Sequence, residues 1–211
     1  MADAAMLEDL LNEISQCRLC RDAPRYGKAL PQEPRPVCVA STTARILIAG
    51  QAPGTRVHAS GIPFNDPSGD RLRAWMGLGR DEFYDQRSVA IVPMGFCFPG
   101  LDAKGGDLPP RRECREVWRD RVMAALPQIR LILVIGQYAQ AYHLGKDREK
   151  TLTATVANWR AIRARQNSRR LYVLPHPSWR NNSWLKKNPW FEEDLLPELR
   201  QDVSNILSEQ N

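Results

Sequence analysis

The stretch RILIAGQAPG (45–54) runs a short Ile/Leu segment into a loop shaped by Gly and Pro, and three later stretches repeat the pattern. They are SVAIVPM (88–94), IRLILVIG (129–136) and LYVLPHP (171–177). Each is a few residues long, rich in Ile, Val and Leu, and stops at Gly or Pro. That is the pattern of a strand buried on both faces, as in a parallel sheet. Between them lie segments with helical character, SGDRLRAWMGL (68–78), PPRRECREVWRDRVMAAL (109–126) and YAQAYHLG (138–145). A further helix is expected over 189–207, and Ala5, Leu7, Leu10, Leu11 and Ile14 predict one over 4–16. The Pro-rich passage 23–38 reads as extended loop. Strands alternating with helices predict an α/β fold, a three-layer α/β/α sandwich around a mainly parallel four-stranded sheet. Ligands of such sheets bind at the carboxyl ends of the strands, where GQAPG, PMGFCFPG, GQYAQ and HPSWRN all fall.

A chain of 211 residues suits one core better than two, so the expectation is a single domain over 1–211, with segment 1–40 packed on the core. No apolar run reaches the eighteen or so residues of a membrane span, and the start, MADAAMLEDLLNEISQC, is acidic and amphipathic, unlike a secretory signal. A cytoplasmic, monomeric protein is expected. The net charge of +6 points weakly to a polyanionic partner, although an Arg-rich composition also follows from genome base bias. Five cysteines in a reducing compartment read as metal ligands or reactive thiols rather than disulfides. Cys17 and Cys20 form a C-x2-C pair, while Cys97 and Cys114 are separated by sixteen residues. Spacing alone leaves open an iron–sulfur cluster, a structural zinc or unrelated buried thiols. Cys38 has no partner at ligand spacing and reads as a small hydrophobe.

Four motifs in order, GQAPG (50–54), SGIPFNDPSGDRL (60–72), CFPGLDAKGGDLPPRREC (97–114) and HPSWRNN (176–182), resemble those of the uracil-DNA glycosylase superfamily. The resemblance runs from Cys17 to Leu195 and is to the bacterial and archaeal branch that carries an iron–sulfur (4Fe–4S) cluster. It implies a structural cluster held by Cys17, Cys20, Cys97 and Cys114. It also implies hydrolysis of the N-glycosidic bond of uracil in single- or double-stranded DNA, leaving an abasic site.

Breaking that bond passes through an oxocarbenium-like sugar and leaves the base as an anion. The protein must hold an extruded nucleotide, stabilise the leaving charge and admit a water to C1′. His176 is the expected donor to the base O2, a neutral imidazole whose hydrogen bond strengthens as charge develops. Phe64 would stack on the flipped base. Gly50, Gln51, Ala52 and Gly54 would bring main-chain N–H groups to the base carbonyls, with Gln51 also placing the water. DNA contact is expected from Ser178, Arg180, Asn181, Asn182, Lys186 and Lys187, interleaved with Trp179, Trp184 and Trp190. The basic stretch RAIRARQNSRR (160–170) reads as a charged surface loop.

The chain departs from the family pattern twice. Ala52 stands where the best-known branch has a water-directing Asp, and Gln51 where the iron–sulfur branch has Glu, so the first loop has no carboxylate. Asp66 is the candidate to replace it and Asp70 the runner-up, although an Asp in the first turn of a helix also suits the helix dipole. The Asn that reads the uracil edge in many relatives is missing from VPMGF (92–96), and Asn65 or the backbone of Met94 and Gly95 are the candidate substitutes. Two alternative readings follow, a glycosylase for hypoxanthine or xanthine and a non-catalytic iron–sulfur DNA-binding protein.

Overall fold

The computed structural model describes residues 2–165 and 169–209. The four apolar runs form the strands β1 (Ile46–Ala49), β2 (Val89–Ile91), β3 (Leu131–Ile135) and β4 (Arg170–Leu174). All pairings are parallel, in the order β2-β1-β3-β4, with Ile48 opposite Ile91 on one side and Leu133 on the other. Every residue of β1, β2 and β3 is buried, so both faces of the sheet are covered, which is why these runs lack polar alternation. The result is the expected α/β sandwich.

The helices are α1 (Ala2–Ser15), α2 (Leu19–Asp22), α3 (Thr55–Ser60), α4 (Pro67–Met76), α5 (Arg80–Tyr84), α6 (Arg112–Cys114) and α7 (Asp120–Ala124). After β3 come α8 (Gly136–Leu144), α9 (Leu152–Ala157), α10 (Trp159–Ala164), α11 (Asn182–Lys187) and α12 (Leu196–Ser208). A π turn, Arg115–Arg119, joins α6 to α7, and another, Phe191–Leu195, leads into α12. Helix α12 packs on α4, the Phe191 ring of the π turn before it lies 4.9 Å from that of Trp75, and α1 packs on α7. The inward stripe of α1 is Leu7, Leu10 and Ile14, while Ala5 is exposed.

The basic stretch 160–170 is not a surface loop where it is described; residues 166–168 lie outside the described residues. Trp159 and Ile162, one helical turn apart, are buried in α10, and the Trp159 ring stacks on Tyr172 of β4 at 5.7 Å. Arg163 and Arg170 both reach the buried Asp202 of α12, at 2.8 and 2.7 Å, and the Tyr172 hydroxyl donates to the same carboxylate. These arginines fasten β4 to the helices around it.

Candidate active site

The loop after β1 continues the sheet's hydrogen bonding. The amides of Met94 and Gly95 donate to the carbonyls of Gly50 and Gln51, both at 2.9 Å. That commits the backbone donors of Met94 and Gly95, and neither residue reaches the pocket described next. Phe64 is the only non-glycine among the described residues with positive φ, at 54°. Such a conformation costs about 1–3 kcal/mol and needs fixing from several sides. The Tyr84 hydroxyl lies 3.0 Å from the Pro63 carbonyl oxygen and 3.2 Å from that of Phe64. A Cβ on Gly69 would fall 1.8 Å from the Phe64 carbonyl oxygen, so only glycine permits this approach. The Phe64 ring tip lies 3.4 Å from where a Cβ on Gly50 would stand, in van der Waals reach of that position. Asp66 caps α4, its Oδ1 accepting from the Gly69 amide at 3.0 Å and from the Ser68 hydroxyl.

The loops after β1 and β4 meet. A pocket, open at its mouth, is walled by GQAPG on one side and by Phe64, Asp66 and His176 on the others. Asn65 is absent from its wall, and so is Asp70, which is exposed and pairs with Arg73. One charged wall residue was not among the candidates although it lies within the CFPGLDAKGGDLPPRREC motif: Asp107, between Cys97 and Cys114. A wider groove continues from the pocket past Arg56, Ser178, Trp179 and Arg180. Asn181 supports this rim from behind, its amide donating to the His176 carbonyl at 2.6 Å, and Arg71 donates to the Ser178 carbonyl at 3.1 Å. Trp179 is 73% exposed, with the Arg180 guanidinium 5.9 Å from its ring centre. Trp184 and Trp190 pack instead on Phe191, and the exposed Asn182, Lys186 and Lys187 lie outside the groove lining.

Burial holds the His176 imidazole below the usual histidine range, with the Asp66 and Asp107 charges opposing that shift and Arg180 adding to it. The ring is therefore neutral at neutral pH. Among the described residues neither ring nitrogen has a hydrogen-bond partner, so the ring keeps both a donor and an acceptor for a ligand. A neutral donor, an aromatic face and carboxylates around one pocket suit a substrate that is planar and leaves as an anion.

The family model of the uracil DNA glycosylase superfamily matches residues 39–200. The chain belongs to this superfamily. Hydrolytic removal of a base from DNA is therefore the activity class of the chain, and the loops after β1 and β4 both lie within the matched stretch. Among the described residues no helix is long and apolar enough to cross a membrane.

The superfamily match begins after Cys17 and Cys20 yet includes Cys97 and Cys114, and the structure brings all four together. They line one cavity with Pro34, Pro36, Phe96 and Trp118. The Trp118 indole donates to the Cys17 sulfur and the Phe96 amide to the Cys114 sulfur, both at 3.4 Å. Among the described residues no three potential ligands gather closely enough for a single ion. Cys38 packs against the core, away from this cavity. The segment between the two cavities is shared. Pro34 and Pro36 face the thiols, Val37 faces the pocket of GQAPG and His176, and Arg35 donates to the carbonyls of His58, Ala59 and Ser60 at the end of α3.

Behind the pocket sits a fully buried guanidinium. Arg119 donates to the carbonyls of Val92 and Pro93 at 2.8 and 2.9 Å, and Pro93 is itself a wall residue. Its other arm lies 2.7 Å from Nε2 of His143. Arg has no acceptor, so Nε2 is the unprotonated nitrogen of that ring. Burial and the Arg119 charge push His143 down to about 3.

Proposed function

We propose that the chain is a monofunctional glycosylase that removes uracil from DNA and leaves an abasic site. The observation that carries the reading is the neutral His176, with free ring nitrogens, on the wall of the pocket that the GQAPG loop and Phe64 also form. The base would stack on Phe64, with its carbonyls toward the main chain of Gly50–Gly54. As the C1′–N1 bond breaks, the His176 N–H would donate to O2 of the departing base, a contact worth about 2.7–4 kcal/mol in comparable sites. Asp66, held rigid as a helix cap, would face the developing sugar cation, and Gln51 would help position the water. Trp179 is exposed enough to enter the gap left by the flipped nucleotide, with Arg180 and Arg56 beside it for phosphates.

The four cysteines around one cavity support a 4Fe–4S cluster, the group that the family resemblance implies. Cys17, Cys20, Cys97 and Cys114 would hold the cluster, and its contribution is structural, tying the N-terminal segment to the chain on either side of residues 98–113. Purified protein should carry iron and sulfide, and stoichiometric zinc would overturn this assignment.

A second reading has its own observation: the only side-chain amide on the pocket wall is Gln51, so recognition of the uracil edge is thin. The test is base release, read by mass spectrometry, from oligonucleotides carrying uracil, hypoxanthine or xanthine in single and double strands. Uracil as the best substrate supports the proposal. Hypoxanthine or xanthine as the best substrate favours the second reading, and tight DNA binding with no base released from any substrate makes the chain a non-catalytic binder.

A further inference from the structure

We propose that Asp107, reaching the pocket from the hairpin between Cys97 and Cys114, is the general base that takes the proton of the attacking water. This deepens the glycosylase reading and rests on it. The first loop offers no carboxylate, because Ala52 occupies that place. Two carboxylates nevertheless reach the pocket wall, Asp66 and Asp107, and both act on the charge of His176. They differ in how they are used. Asp66 already accepts the Gly69 amide and the Ser68 hydroxyl through one oxygen, and that contact fixes the start of α4 and the strained turn at Phe64. Asp107 makes no side-chain hydrogen bond or ion pair among the described residues, which leaves both of its oxygens for a water.

Its position is built rather than incidental. The chain from Gly100 to Leu108 folds back on itself, with Leu101 bridged to Asp107 and the Leu108 amide donating to the Gly100 carbonyl at 2.9 Å. The carboxylate of Asp102 clamps the turn, accepting the amides of Lys104 and Gly106 at 2.8 and 2.9 Å. The hairpin thereby sets an Asp107 oxygen 3.7 Å from where a Cβ on Gly54 would stand. Phe64 lies over the first glycine of GQAPG and Asp107 over its last. Phe64 is half-buried and Asp107 exposed, so a base stacked on Phe64 would direct its sugar toward Asp107 and solvent. Arg56 and Arg180 in the same groove offset the carboxylate's repulsion of the DNA backbone.

The step balances. The water oxygen bonds to C1′ as the C1′–N1 bond breaks, and both electrons of that bond leave with the base. The water's proton passes to the Asp107 carboxylate and from there to solvent, and the released base regains a proton from solvent.

The test measures single-turnover base release from the wild type's best substrate for the wild type, Asp107→Asn and Asp107→Ala, with affinity for an abasic-site duplex measured in parallel. A positioned general base typically contributes at least about a hundredfold, so both variants should lose about that much or more while binding the duplex within about threefold of the wild type. Added formate should restore part of the rate to Asp107→Ala but not to the wild type or Asp107→Asn. A rate in Asp107→Asn within tenfold of the wild type, or an Asp107→Ala enzyme that formate does not rescue, overturns the assignment and leaves the glycosylase reading standing. A wild type that releases no base from any substrate overturns both.

Discussion

The surroundings of His143 and of His176 begin alike and end differently. In both, burial drives the ring toward its neutral form. At His143 the acceptor nitrogen faces a guanidinium that also grips two carbonyls, and the ring is part of the frame. At His176 neither nitrogen has a protein partner among the described residues, and two carboxylates and an arginine act on the ring from around an open pocket. A buried histidine is structural when its hydrogen bonds are used up and available for chemistry when they are not. Burial alone does not separate the two.

That contrast can be broken first on the structural side. Replacing Arg119 with Met should leave the carbonyls of Val92 and Pro93 buried without donors, at a cost of about 1–3 kcal/mol each, read by denaturant unfolding. Unchanged stability would mean that the Arg119–His143 pair does not support the pocket wall. On the open side, Trp179→Ala should weaken binding to a damaged duplex by about 1–3 kcal/mol in a fluorescence titration and leave the melting temperature alone, since the ring is 73% exposed. Unaltered affinity would remove Trp179 from the DNA interface.

The smallest effect is a pH dependence. The unfolded His143 takes up a proton near its ordinary value of 6.5, whereas the folded ring resists protonation down to about 3. Between those values the unfolded state binds more protons, so stability falls as pH is lowered through that window. By pH 5.5 the loss from His143 should be about 1 kcal/mol, and His143→Leu should flatten the curve in thermal unfolding. An equally steep curve in the variant would show that the buried ring is not the group titrating.

What the sequence revealed of this molecule follows from how local each signal was. The strands stood out to within a few residues because an Ile/Val/Leu run ending at Gly or Pro needs no distant partner to be recognised. Trp159 and Ile162 were hidden among arginines, and their burial depends on Tyr172, which arrives later in the chain. The two principal loops of the pocket were legible as motifs, but the direction of their backbone groups was not. Met94 and Gly95 looked available for the base until the sheet's own hydrogen bonding claimed their amides. Asp107 lay inside a motif that was read only for its flanking cysteines, because its place over Gly54 results from a hairpin clamped by Asp102 between two cysteine-bearing segments.

The central claim is that a neutral, unpartnered His176 stabilises the base as it leaves. The most direct measurement is single-turnover uracil release by His176→Ala against the wild type, with affinity for the abasic duplex followed alongside. A rate loss of about 100- to 1000-fold with affinity nearly unchanged is expected. Uracil release at the wild-type rate in His176→Ala would contradict it.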